Sequence, residues 1–207
     1  MIDYMMNVIY SVKQIVCQRG KSMKVTREQA GQNRERIIET AARLFRERGF
    51  DGVGVADLMQ NAGLTHGGFY GQFDSKEDLA AQACERALAQ SAARIDRVIA
   101  EHPKNALDAV AASYLSTRHR DSPGDGCAFV ALGAEAPRHA PAVRKVFTDA
   151  LQLRIEKLIA LMPGAKAARR RKALAVMASF VGAQVLARAV DDAALSNEIL
   201  EAVKASV

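Results

Sequence analysis

Gly63-Leu64-Thr65-His66-Gly67-Gly68-Phe69-Tyr70-Gly71-Gln72-Phe73-Asp74-Ser75-Lys76-Glu77-Asp78-Leu79 is the stretch from which the rest of the chain can be read. Upstream of it, Ile37, Ala41, Leu44 and Phe45 fall at i, i+4, i+7 and i+8, one face of a helix, and Gly49 follows as its stop. A glycine-rich bend, Asp51 to Gly54, leads to a short helix that buries Val55, Leu58 and Met59. Ala62-Gly63-Leu64 makes a tight turn, with Gly63 free to take a positive φ. Thr65 is placed to cap a second short helix running towards Phe73. Two short helices joined by a three-residue turn containing glycine form a helix-turn-helix, whose second helix enters a major groove. Downstream, Ser75-Lys76-Glu77-Asp78 reads as a capping box that opens a long helix.

Within the second helix, Phe69 and Phe73 stand at i, i+4 and belong to the core. Gly67 and Gly68 each cost about 1 kcal/mol of helix propensity. A helix that serves packing alone has little reason to carry them, whereas bare glycines let a helix approach DNA closely. Thr65 offers a hydroxyl to phosphate, and Lys76 stands at a helix start, where ammonium and backbone N–H groups both favour phosphate.

The run from Gly63 to Leu79 resembles the signature of the TetR family of bacterial transcriptional regulators, approximately A-G-[VL]-[ST]-x-G-x-[FL]-Y-x-[HY]-F-x-[ST]-K-[ED]-x-L, and the likeness covers about residues 33–80. The resemblance implies an all-α chain with an N-terminal three-helix helix-turn-helix domain and a C-terminal helical ligand-binding and dimerisation domain. It also implies a homodimer that represses from double-stranded operator DNA and is released by a small-molecule inducer. Tyr70 is then a phosphate contact, His66 and Gln72 reach base edges, and Arg34, with Lys24 and Arg27, forms a basic arm. Two departures stand out. Val53-Gly54-Val55 occupies the place where many members carry Thr, so contact near Val55 has to come from backbone N–H groups. Gln72 replaces the usual His.

Composition agrees with this class. The chain has 207 residues, 49% hydrophobic and 25% charged, close to the globular average, which excludes a wholly disordered chain. No stretch approaches the ~20 uncharged apolar residues of a spanning helix, so no membrane partner is expected. Cys17, Cys84 and Cys127 are widely spaced, which argues against a secreted disulfide scaffold and points to a reduced, cytoplasmic protein. The net charge is +6, and basic residues concentrate between Lys21 and Arg48, as a polyanion partner requires.

Abundant alanine and the lack of period-2 strands predict helices throughout, at 33–48, 55–61, 65–72, 75–100, 105–119, 127–136, 141–161, 166–190 and 194–205. All five prolines lie after residue 100 and mark helix boundaries. The expected organisation is an extension at 1–22, a helix-turn-helix domain at 23–78 and a helical domain at 79–207. For the apolar extension three readings stand: a start assigned too early, with Met23 the true start; a floppy arm; or a packed amphipathic helix.

In the last third, Leu174, Met177, Phe180, Val181, Val185 and Leu186 make one helix apolar nearly all round, which demands cover on all sides. Ala175, Ser179, Ala183 and Ala187 repeat every four residues as a small-residue strip. The TetR resemblance implies a dimer interface on the last two helices, carried here by Leu174, Ala175, Ser179, Gly182, Ala183, Leu186, Ala187, Leu195 and Ile199; a monomeric core explains the same pattern.

Cys127 follows Gly126 at an expected helix N-terminus near Arg118, His119 and Arg120, a setting that favours a reactive thiolate. A small buried hydrophobe is the other reading. Tyr114, His119, Phe129 and Glu135, with His139, are candidates for lining a ligand or redox-sensing pocket. A Gly-Cys-…-Ala-Leu-x-x-Glu stretch is similar to that of a TetR subgroup. The chain carries no G-x-S-x-G, Walker loop, G-x-G-x-x-G or H-E-x-x-H, and its histidines and cysteines lack paired metal spacing, so no catalytic set, cofactor or metal is expected. The remaining alternatives are a helical protein-interaction module without DNA binding and an enzyme using Cys127 with His119 as base.

Overall fold

The computed structural model describes residues 26–207; the extension 1–22 and Lys24 lie outside the described residues. Every described element is helical: α1 Arg27–Arg48, α2 Val55–Asn61, α3 Lys76–Glu101, α4 Ala106–Tyr114, α5 Thr117–Asp121, α6 Ala128–Leu132, α7 Pro141–Ala160, α8 Lys166–Ala189 and α9 Ala193–Ala205. Single 3-10 turns lie at His66–Gly68, Pro123–Asp125 and Ala136–Arg138. The two glycines that end α1 and make the helix-turn-helix bend, Gly49 and Gly63, have φ of 75° and 69°. Only glycine occupies that region without strain.

Three expected helices come out shorter. The segment 65–72 forms one 3-10 turn followed by a looser turn, closed by Gly68 N–H to Thr65 O and Gln72 N–H to Phe69 O. Successive glycines at 67 and 68 remove the propensity that would extend it into an α-helix. The segment 105–119 breaks at Leu115, because buried Gln184 of α8 draws off the Tyr114 carbonyl at 2.6 Å and Ser116 starts α5 by accepting from the His119 N–H. The segment 127–136 stops at Leu132, and Pro137 excludes a continuing α-helix. At the other end, α1 starts earlier than expected, where the Thr26 hydroxyl accepts from the Gln29 N–H at 3.1 Å.

Two apolar clusters organise residues 33–207. The first joins Ile37, Leu44 and Phe45 of α1, Leu58 of α2 and Phe69 to Leu79 and Leu88 of α3, and extends to Leu132 and Phe147. The second gathers Ile95 of α3 with Val110, Tyr114, Leu158, Met177, Phe180 and Leu200. Helix α3 runs through both over a length of about 39 Å. Phe129 is half-buried and packs on each.

Helix α8 packs on α6, α7 and α9. By length and composition alone it could cross a membrane. One face holds Ala173, Val176, Met177, Phe180, Ala183 and Ala187 inside the protein, while Leu174, Val185 and Leu186, with Leu195 of α9, are exposed. This corrects the expected interface. Ala183 and Ala187 are core residues, whereas Ala175 and Ser179 are exposed. A spacing of four residues advances about 40° round the helix at each step, so the strip winds from the outer face to the inner one.

Candidate functional site

The helix-turn-helix rests on a sealed floor. Phe69 is fully buried and Phe73 nearly so, with their rings 5.6 Å apart. Above that floor Thr65, His66, Gly67, Gly68 and Tyr70 are all exposed, and Tyr70 shows 68% of its surface. Its ring stands edge-on to Phe69 at 5.2 Å and to His66 at 6.3 Å, which steadies it without covering it. A Cβ on Gly67 would meet nothing within 4 Å, so packing does not explain that glycine. Gln72 and Lys76 are half-exposed at the same end, and the Ser75 hydroxyl caps α3 by accepting from the Asp78 N–H at 3.1 Å.

Three expectations change here. The Thr65 side chain makes no capping hydrogen bond, which leaves its hydroxyl outward. Val55 is half-buried against the core, and the backbone before it is tied by Gly54 N–H to the Asp57 carboxylate at 3.4 Å. Arg34 is turned inward: its guanidinium lies 4.6 Å over the Phe73 ring and donates to Gln82 Oε1 at 2.7 Å.

Side chains far apart in sequence connect this end to the rest of the bundle. Buried Arg46 donates to the Gly126 carbonyl at 2.9 Å and to the Ala42 carbonyl at 2.8 Å, and burial lowers its pKa. Glu135 accepts from the Phe50 N–H at 2.9 Å, just after the α1 stop. Glu77 accepts from the Ala140 N–H and from His139, each at 2.9 Å, and these two bonds hold its carboxyl below the usual range. His139 is therefore also a brace, stacked 4.3 Å from Phe50.

The concave site of the bundle is a cleft of about 610 Å³ beside the C-terminal half of α3, with Arg94, Arg97, Ser113, Tyr114, Arg118 and His119 among its lining. Tyr114 and His119 are where the sequence expected them. Cys127, Phe129 and Glu135 are not on it: Phe129 stacks edge-on against Phe147 in the core, and Cys127 is 1% exposed.

The surroundings of Cys127 also differ from expectation. His119 Nε2 accepts from the Cys127 backbone N–H at 3.0 Å while Nδ1 faces the Tyr114 carbonyl at 2.7 Å. Burial pulls the His119 pKa down to about 4, so the ring is neutral at pH 7 and donates from Nδ1. It is neither a cation beside the thiol nor free as its base. Arg120 is engaged by Asp121, Ser196 and Asn197. Arg46 and Arg94 donate to the carbonyl of Gly126, the residue before Cys127, and the Arg188 guanidinium lies beside Gly126; burial lowers the pKa of all three. Arg188 donates to the His119 and Arg120 carbonyls and pins α5. Cys84 is core, its thiol pushed up to about 12 by burial. No group of residues suited to a metal occurs among the described residues. Sequence reasoning missed Arg46, Arg94, Arg154 and the bracing role of Glu135. Arg154 alone left a trace, as a charge between Ala150 and Leu158 on an apolar helix face.

A sealed helix-turn-helix on a helical bundle that carries an open cleft is an arrangement suited to a DNA-binding regulator. Residues 37–83 match the model of the bacterial regulatory proteins, tetR family. It is 31% identical over 105 residues to the HTH-type transcriptional repressor NemR of Escherichia coli K12, a match covering 49% of this chain and 53% of NemR. The chain thus spans about half the length of this curated relative. Over 54 residues it is 41% identical to the HTH-type transcriptional regulator TtgR of Pseudomonas putida, covering 26% of each. The reduced form of Escherichia coli NemR superposes with a TM-score of 0.70 at 25% identity, over 84% of this chain and 94% of that one.

Proposed function

We propose that the protein is a cytoplasmic, homodimeric transcriptional repressor that binds double-stranded operator DNA and is released from it by a small molecule in the cleft. The observation that carries this reading is the exposed Tyr70 and the bare Gly67–Gly68 pair standing on a fully packed helix-turn-helix. Two such turns spaced by about 34 Å in a dimer read successive major grooves. The exposed apolar face of Leu174, Val185, Leu186 and Leu195 supports the dimer, because a face of that kind requires cover. Helix α3 supports the coupling, since its first turn carries Lys76 and its last turns line the cleft. A ligand that shifts α3 acts on both recognition turns, and a coupling of about 1–3 kcal/mol changes operator affinity ~5–150-fold.

Fluorescence anisotropy on DNA from upstream of the protein's own gene tests this. Binding should be tight and should weaken steeply with salt, as phosphate contacts require. Affinity no greater than for random DNA at that site and in a genome-wide DNA selection refutes the reading, and a salt-insensitive complex with protein would favour the interaction module instead.

Release by thiol modification is the second reading, favoured by the three guanidiniums of Arg46, Arg94 and Arg188 at Gly126, the residue before Cys127. Cys127→Ser is expected to keep operator affinity and to lose the response to a quinone. If the variant responds like the parent to every electrophile tried, Cys127 is a core residue and nothing more.

A further inference from the structure

The cleft is built on unbalanced positive charge. Arg94, Arg97 and Arg118 line it against Glu101 and Asp125, and none of the three arginines makes an ion pair among the described residues. Arg94 spends its guanidinium on the backbone carbonyls of Asp125 and Gly126. Behind them Arg154 is only 6% exposed, and its hydrogen bond is a long one, 3.4 Å to the hydroxyl of Ser91, itself a lining residue. A buried guanidinium so poorly matched is costly unless an anion completes it. Tyr114 contributes its ring: the residue is 4% exposed and lines the cleft, while its buried hydroxyl faces the Cys127 side chain.

Tyr114 and Ile95 also line a small void of about 10 Å³ that adjoins the cleft, walled mainly by apolar residues such as Val110, Met177 and Phe180 together with Arg154 and Lys157. The site therefore has a cationic mouth and, past Ile95 and the Tyr114 ring, a mainly apolar end. We propose that the cleft binds an organic carboxylate with an apolar body, its carboxylate met by Arg94, Arg97 and Arg118, its body directed past the Tyr114 ring at the Ile95–Phe180 end. Guanidinium and carboxylate match in bidentate geometry. The cleft volume falls within the ~300–1,000 Å³ of small-molecule sites. This inference rests on the cleft being the effector site.

Calorimetry on the full chain tests it with three carboxylates, octanoate, cinnamate and 2-naphthoate, each against its uncharged amide. At least one carboxylate should bind one site per chain at least tenfold more tightly than its amide. The double variant Arg97→Gln/Arg118→Gln, altered only at exposed positions, should lose at least fivefold for the acid and leave the amide unchanged. If no acid exceeds its amide by fivefold, or if the double variant binds the acid as the parent does, the proposal is overturned. Anisotropy on operator DNA with the winning acid separates the two readings. Binding without release keeps the carboxylate site and removes its effector role.

Discussion

Tyr70 exposes its ring while Phe69, one residue earlier, is sealed beneath it. An aromatic side chain so open contributes little to folding. Tyr70→Ala should therefore shift thermal stability by less than about 0.5 kcal/mol and weaken binding to every DNA sequence by roughly tenfold, the loss of one good hydrogen bond and its stacking. Parallel melting and anisotropy curves check both halves. His119 makes a prediction in pH. Its imidazole takes a proton near 6.5 when unfolded and near 4 in the fold. Between those values the unfolded chain holds more protons, so stability rises with pH. The contribution, about 2–3 kcal/mol, is whole above pH 6.5 and is lost as pH falls towards 4. Urea midpoints at pH 7.5 and 5.0 should diverge more in the parent than in His119→Gln. Residue roles were legible where they follow from position in a helix turn, as for Phe69, Phe73 and Ser75. They were illegible where the partner is distant in sequence. Nothing near Glu135 announces that it will accept from the Phe50 N–H.

At the level of the element, the recognition segment is a single 3-10 turn and not an α-helix, and its glycines are the cause. Gly67 has an ordinary negative φ, and open space where a Cβ would stand. Gly67→Ala should leave the fold intact or stabilise it by about 0.5–1 kcal/mol. Operator affinity should nevertheless fall, because the methyl projects where DNA approaches. A variant that melts higher and binds as the parent does would mean that this glycine does not face the duplex. Gly63→Ala is the contrast: its φ of 69° makes the same methyl a destabilising one, by about 1 kcal/mol or more in a chemical melt. Long elements with strong periodicity, α1, α3, α7 and α8, were readable within a few residues. The α4–α5 break was not, because it depends on Gln184 and Arg188, two side chains from another helix that capture carbonyls at the break.

Over the whole molecule, the exposed side of α8 is the contact surface of the proposed dimer. Leu186 is 56% exposed, and Leu186→Glu should turn the dimer into a folded monomer with unchanged helicity, read by light scattering and circular dichroism. Operator affinity should fall with it, since one recognition turn cannot span two half-sites. A variant that stays dimeric would assign the interface elsewhere on the surface. Periodicity alone could not sort this helix into inner and outer faces, because it is apolar on both.

The division of residues 33–207 into two apolar clusters bears on how such a protein diverges. Substitutions around Ile95, Arg97 and Arg118 alter the cleft without touching a residue on which Phe45, Leu58 and Phe69 pack. A lineage can thus exchange one inducer for another by drift while its operator stays the same. Phe129 is the apolar side chain packed on both clusters, and there, on the proposed function, a new taste in ligand disturbs an inherited hold on DNA.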